Sequence, residues 1–252
     1  MGLRHLYLLE FFENKFKMIL SIIIPAFNEE KTILKLLDKV ISVDLGNITK
    51  EILIVNDCSS DNTQNIVEDF INQNKNISIS LYSNGTNKGK GFSLNKGIKK
   101  AKGDIIIFQD ADLEYDPQEY KILIKPIVDG FADVVYGSRF QGSKPHRILF
   151  FWHTIGNKFL TFISNVFTNL NLTDMETRYK VFKKEIISQI EITENRFGIE
   201  PEITAKISKI KNLRLYEVGI SYYGRTYEEG KKIGWKDGVR AIYAIIKFNL
   251  TK

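Results

Sequence analysis

Two carboxylates spaced two residues apart, Asp110 and Asp112, stand where the apolar run Ile105-Ile106-Ile107-Phe108 gives out. Acids placed where a chain leaves a sheet can turn oxygens toward one cation, the ligand type that hard divalent metals prefer. Glu114 adds a third possible oxygen ligand. Mg2+ typically keeps only one or two protein carboxylates and fills its shell with water and substrate phosphates, so the pattern suits a metal–diphosphate site better than a closed cage. Asp-x-Asp alone is also the pattern of a solvated turn, and only its context decides. Cations suited to phosphate follow: Arg139 and Arg147 flank a loop containing Gly142 and Pro145. Arginine forks match phosphate oxygens bidentately; for Arg147 the plain alternative is a surface ion pair.

Such residues need elements to hold them. The β-branched run 19–24, stopped by Pro25, reads as a buried strand. Asn28 reads as the N-cap of a helix in which Ile33, Leu36, Leu37 and Val40 recur at helical spacing. Residues 51–56 form a second strand, and Ser60 or Asp61 caps a helix through Ile66, Val67 and Phe70. A third strand is expected over 77–82, then a Gly/Asn/Lys-rich loop over 84–91 and a short helix to Lys102. Runs 104–108 and 132–136 supply two more strands, separated by a helix that starts at Pro117. This alternation predicts an α/β fold with a mostly parallel sheet covered by helices on both faces. Ligands in such sheets bind beyond the carboxyl ends of the strands. Those ends carry residues 25–29, 56–61, 109–114 and 137–139, and three of the four sets contain carboxylates.

A chain of 252 residues with 43% hydrophobic content and five prolines suits one folded domain without extended linkers. A single cysteine, Cys58, rules out an internal disulfide framework and fits a reducing compartment. Charges at Arg4, Glu10, Glu13, Lys15 and Lys17 interrupt the apolar core a signal peptide requires. Met18 directly precedes the first strand, so residues 1–17 read as a dispensable extension or a start-site artefact. No apolar run approaches the roughly 20 residues of a membrane-spanning helix. The expected location is cytoplasmic, in solution or at the membrane face. From Ile203 onward eleven bases face four acids, while the rest of the chain is near neutral. That asymmetry predicts an anionic partner or a solvated basic face.

Four segments stand in a telling order. The first is Ser21-Ile22-Ile23-Ile24-Pro25-Ala26-Phe27-Asn28-Glu29-Glu30, and the second Ile54-Val55-Asn56-Asp57-Cys58-Ser59-Ser60-Asp61. The third runs from Asn87-Lys88-Gly89-Lys90-Gly91 through Ala101-Lys102-Gly103-Asp104 into Phe108-Gln109-Asp110-Ala111-Asp112-Leu113-Glu114. The fourth is Tyr136-Gly137-Ser138-Arg139-Phe140. In joint order they resemble the family 2 glycosyltransferases of GT-A (Rossmann-like) fold, and most closely the dolichyl-phosphate mannosyltransferase-like, polyprenyl-phosphate branch. The resemblance covers about the first 140 residues. It departs at Cys58, where the family usually has Asp-Gly-Ser.

The resemblance implies a GT-A domain over 18–230 and a nucleotide pocket lined by Pro25, Phe27, Glu29, Val55 and Asp57. Asp57 would accept a hydrogen bond from the base; a helix cap is its plainer role. Asp110, Asp112 and Glu114 would hold Mg2+ or Mn2+ against the donor diphosphate, with Ala111 beside it. Asp112 and Arg139 would be catalytic, and Arg139, Arg147 and Lys180 would bind an acceptor phosphate. Arg225 and Lys231, six residues apart, resemble the family's donor-diphosphate clamp, and a plain basic loop is the alternative. The loop 87–91 reads equally as a flexible turn or as a sugar or phosphate contact.

Further on, Asp174-Met175-Glu176-Thr177-Arg178-Tyr179-Lys180 sits where relatives show Asp-x-Thr-Ser-Gly-Phe-Arg/Lys, with Arg178 replacing the small residue. Glu200 could orient an acceptor or simply sit in the first turn of a helix near Pro201. Residues 148–172 are rich in Phe, Ile, Leu and Trp152; packing into the core is the default expectation, and an interfacial helix the alternative. Residues 231–252 form a basic amphipathic helix, with Trp235, Val239, Ile242, Tyr243 and Ile246 on one face.

The implied reaction is inverting transfer of a hexose from a GDP- or UDP-sugar to a polyprenyl (dolichyl or undecaprenyl) phosphate. A lipid phosphate is already anionic and needs little general-base help. A hydroxyl acceptor in surface polysaccharide or lipid glycan synthesis would need a base, and no acid outside the metal motif stands out as one. An NAD(P)-dependent oxidoreductase is disfavoured because the first strand ends in Pro-Ala-Phe-Asn-Glu, not Gly-x-Gly-x-x-Gly. A non-catalytic basic module would leave the strand-end acids without purpose, so nucleic acid is not an expected partner, whereas a peripheral membrane contact is.

Overall fold

The computed structural model describes residues 18–142, 145, 147, 148, 150–196, 198–224 and 235–251. Seven strands form one sheet: β1 (Ile19–Ala26), β2 (Thr49–Asn56), β3 (Ser78–Ser83), β4 (Ile105–Phe108), β5 (Val134–Ser138), β6 (Lys180–Lys183) and β7 (Leu215–Gly219), ordered β3-β2-β1-β4-β6-β5-β7. The five expected strands are all present. β6 pairs antiparallel with both β4 and β5, and every other pairing is parallel. The helices are α1 (Ile33–Ser42), α2 (Thr63–Gln73), α3 (Lys90–Lys100), α4 (Tyr120–Val128), α5 (Phe151–Thr168), the single turn α6 (Lys184–Ile187), α7 (Ile199–Ile207) and α8 (Trp235–Leu250).

Alternation along the strands explains the layering, because successive side chains point to opposite faces. Leu20, Ile22 and Ile24 of β1 share one core with Leu36, Leu37 and Val40 of α1 and Val67 of α2. Ile23 points the other way, into a second core with Leu94 and Ile98 of α3 and Ile203 and Ile207 of α7. On that side α3 lies so close that a Cβ on Gly97 would stand 2.3 Å from Ile23 Cγ2.

Three details correct the sequence expectations. Asn28 is not a helix cap: it has φ 55, and α1 begins only at Ile33. Its side-chain Oδ1 instead accepts from the Ser60 amide at 2.8 Å, joining the ends of β1 and β2. Neither Ser60 nor Asp61 is the N-cap of α2: that position is Asn62, and Asp61, one residue before it, instead accepts from Thr63 N through Oδ1 at 3.0 Å. Most consequential is α5, where only Thr161 and Ser164 are buried while Phe151, Trp152 (78% exposed), Ile155, Phe159, Phe162 and Val166 face outward. Core packing was the default expectation for this stretch, and its aromatic face is on the surface instead. Likewise α8 packs through Ala241, Ala244, Ile245 and Phe248, leaving Val239, Tyr243 and Ile246 exposed. The side chains of Trp235 and Lys236 and all of residues 1–17 lie outside the described residues. Among the described residues, no helix is long and apolar enough to cross a membrane.

Candidate active site

β1, β2, β4 and β5 run in one direction, so their carboxyl ends share an edge of the sheet. Antiparallel β6 contributes its starting end to the same edge. The residues before β6, 174–179, are thereby brought against the acids that follow β4. Left-handed backbone at Asn28 (φ 55), Cys58 (φ 61) and Leu113 (φ 63) follows β1, β2 and β4. Non-glycine residues rarely adopt such angles, and they gather at functional sites.

Asp110 and Asp112 are both buried at this edge. Arg178 Nη1 lies 2.6 Å from Asp110 Oδ2 and 3.5 Å from Asp112 Oδ2. Lys90 Nζ takes the other Asp110 oxygen at 2.9 Å and also reaches Glu200 Oε1 at 3.2 Å. Burial alone would raise the Asp110 carboxyl, but the Lys90 and Arg178 cations reverse this and hold it well below the ordinary carboxylate range. The Glu200 carboxyl is lowered in the same manner, against its burial, by Lys90, Lys180 and Arg178.

Glu114 does not complete a three-carboxylate set. Beyond the turn at Leu113 its Oε2 accepts from the Tyr222 hydroxyl at 2.9 Å. Among the described residues no group of three or more His, Cys, Asp or Glu is arranged to hold a metal. What the edge provides is a pair of carboxylates converging on one positive nitrogen. That pair fits Mg2+ or Mn2+, whose remaining positions go to water and phosphate.

The edge beyond β2 is built around Asp57. Its Oδ1 accepts from Asn84 Nδ2 at 2.8 Å and Lys88 N at 2.9 Å, and its Oδ2 from Gly89 N at 2.7 Å. A carboxylate has about four acceptor positions, and three of those of Asp57 are spent on the 84–89 loop. The loop is therefore pinned, not a flexible turn. Gly91 N donates to Asn195 O at 2.8 Å, and a Cβ on Gly89 (φ 95) would lie 2.3 Å from that same oxygen. Phe27 is 39% exposed beside the strand end, whereas Val55 and Ala111 are buried. Glu29 Oε2 accepts from Thr32 Oγ1 at 2.5 Å, at the entry to α1.

Arg139 follows β5. Its Nε and Nη2 each donate to Asp174 at 2.7 Å, and the pair is almost wholly buried. The Arg139 guanidinium also lies 5.3 Å from the Tyr222 ring. Glu217 holds the next layer, accepting from Thr173 N at 2.9 Å and Asp174 N at 3.2 Å. Arg147 ties its loop to the end of the sheet, with Nη1 donating to Gly224 O at 2.9 Å and its amide to Tyr222 O at 2.8 Å. Lys180 is not a surface phosphate ligand. Its buried ammonium donates to the carbonyls of Met175, at 3.0 Å, and Thr177, over the Tyr136 ring, and burial pushes it down to about 8. Beside it Glu176, whose Oε1 is buried without a hydrogen-bond partner, is pushed up to about 7 by burial and by Glu200. Arg225 and Lys231 lie outside the described residues.

Strand-end acids facing buried cations, on a mostly parallel sheet with helices on both faces, form a polar edge where such sheets bind ligands. Comparison with known proteins gives the family: residues 21–191 match the model described as Glycosyl transferase family 2, and the chain belongs to that family. An uncharacterised protein of Methanocaldococcus jannaschii is 32% identical, over 84% of this chain and 93% of its own. The UDP-N-acetylglucosamine–dolichyl-phosphate N-acetylglucosaminyltransferase of Methanococcus voltae is 26% identical, over 93% and 97%. Among solved structures, glucosyl-3-phosphoglycerate synthase of Mycobacterium tuberculosis, bound to Mn2+, UDP and phosphoglyceric acid, superposes with a TM-score of 0.71 at 16% identity, over 93% of this chain and 80% of its own. The fold is that of the GT-A glycosyltransferases, and the chain is a glycosyltransferase.

Proposed function

We propose that this enzyme moves a hexose from a UDP- or GDP-sugar to a polyprenyl phosphate, with inversion, at the cytoplasmic face of the membrane. The observation that carries this reading is one sheet edge where Asp110 and Asp112 follow β4 and Arg139 follows β5, with Tyr222 against both Arg139 and the Arg147 amide, and a helix whose aromatic face points outward. The named activity of the Methanococcus voltae relative supports the acceptor class.

Asp57 fixes the 84–89 loop, leaving one acceptor position toward the nucleotide. Asp110 and Asp112 would hold Mg2+ or Mn2+, which supplies Lewis-acid assistance to the departing diphosphate. Arg139, oriented by Asp174, keeps unpaired guanidinium N–H groups for an acceptor phosphate. An anionic acceptor needs no proton removed, so the protein's task is alignment of two negatively charged reactants. α5 is tied to this segment, since Met175 N donates to Thr161 Oγ1 at 3.2 Å and Asn165 Nδ2 to Leu172 O at 2.8 Å. Its outward Phe and Trp side chains suit the lipid–water interface from which a polyprenyl chain would be presented.

A hydroxyl acceptor is the second reading, and one observation favours it. Glu176, unpartnered at Oε1 and titrating near neutrality, has the character of a general base. Thermal melting separates these readings from a non-catalytic role. A UDP- or GDP-sugar with Mn2+ is expected to raise the Tm of the wild type and not of Asp112→Ala; no shift with any nucleotide sugar refutes the donor site.

A further inference from the structure

Arg178 sits against both strand-end acids, and neither the donor nor the acceptor reading uses it. Its position is specific: one guanidinium nitrogen bridges Asp110 Oδ2 and Asp112 Oδ2, at 2.6 and 3.5 Å. The remaining Asp110 oxygen is held by Lys90 at 2.9 Å, and Asp112 Oδ1 accepts from Glu114 N at 3.1 Å. Both oxygens that face a common point are thus committed to the same positive group. The arginine is also held in place, with its own amide 3.3 Å from the Tyr115 hydroxyl.

We propose that Arg178 is a built-in competitor for the divalent ion: its guanidinium holds the Asp110 and Asp112 oxygens that the ion needs, and the ion binds only as the guanidinium is released. This rests on Asp110 and Asp112 being the metal seat. A released guanidinium needs another anion, and the donor diphosphate is the one that arrives with the ion. Metal binding in this chain is therefore conditional on the nucleotide, a property that a small residue at position 178 would not confer. A charged side chain on the seat is a different device from a missing ligand, because removing it strengthens metal binding.

The test is Mn2+ binding to the full chain, read from the paramagnetic signal of free Mn2+, for wild type, Arg178→Gly, Arg178→Gln and Arg178→Lys. Without nucleotide, the Gly and Gln variants should bind Mn2+ about ten- to a hundredfold more tightly than wild type, the range that loss of one charge-assisted contact spans. Arg178→Lys, which keeps the charge, should stay near wild type. Addition of UDP or GDP should narrow the gap, because the diphosphate then takes up the displaced cation. Arg178→Gln keeps a polar side chain and serves if the Gly variant fails to fold. Equal Mn2+ affinity in wild type and both neutral variants overturns the role of Arg178 and leaves the metal seat standing. No Mn2+ binding by any variant, with or without nucleotide, overturns both.

Discussion

Replacing Asp174 with alanine tests whether the acceptor side is organised as described. The change removes three hydrogen bonds to Arg139, from its amide at 3.0 Å and from Nε and Nη2 at 2.7 Å each. It removes the carboxylate from a guanidinium whose side chain is only 10% exposed, leaving the Phe140 and Tyr222 rings 5.6 and 5.3 Å away. Removing one partner of a buried pair costs about 3–5 kcal/mol, because the surviving charge is left uncompensated. With a urea m-value near 2–3 kcal/mol/M, the midpoint should fall by about 1–2.5 M at pH 7. The double variant Arg139→Met/Asp174→Ala leaves no charge behind and should be more stable than Asp174→Ala alone. A loss below about 1 kcal/mol for the single variant, or strictly additive losses in the double, would refute a tightly coupled buried pair.

Three further outcomes are expected. Cys58→Gly should stabilise the chain by about 0.5–1 kcal/mol in urea unfolding, since relief of the left-handed angle (φ 61) outweighs glycine's greater unfolded entropy. Glu176 binds its proton more tightly when folded, at about 7 against an ordinary 4.5, so its contribution to stability should decline as pH rises through that window; Glu176→Gln should flatten that part of the stability–pH profile. Replacing the exposed Trp152 and Phe162 with serine should weaken binding to anionic phospholipid vesicles, measured by cosedimentation, while stability stays within about 0.5 kcal/mol of wild type.

The parts of this molecule legible in its sequence are those set by local pattern. β1, β2 and β4 announce themselves as dense apolar runs, because both faces of those strands are buried. β6 gives no such signal: it is four residues, Lys-Val-Phe-Lys, and its first lysine is buried by contacts with the backbone of residues 175–177. β7, half-buried at the sheet edge, spends Glu217 on backbone amides, which no periodicity foretells. The α5 stripe was visible, but an apolar face meant for the core and one meant for the surface look alike in a sequence. In the site, Asp110 and Asp112 were legible, whereas their partners lie far along the chain. Arg178 is 68 residues from Asp110, and only its departure from the family pattern marked it. Lys90 lay within a recognised loop, yet nothing local points it at Asp110 and Glu200. Lys180 matched a basic position by type while being turned inward, and Glu114 matched by spacing while being bonded to Tyr222.

The central claim, sugar transfer to a lipid phosphate with Asp110 and Asp112 at the donor diphosphate, is tested most directly by a transfer assay. Labelled UDP- and GDP-sugars would be incubated with a polyprenyl phosphate in Mg2+ or Mn2+, and organic-phase label counted with and without chelator. The account predicts lipid-linked sugar from at least one donor, abolished by chelator and by Asp112→Ala. Transfer to no polyprenyl phosphate, or transfer undiminished by chelator and by that variant, would contradict it.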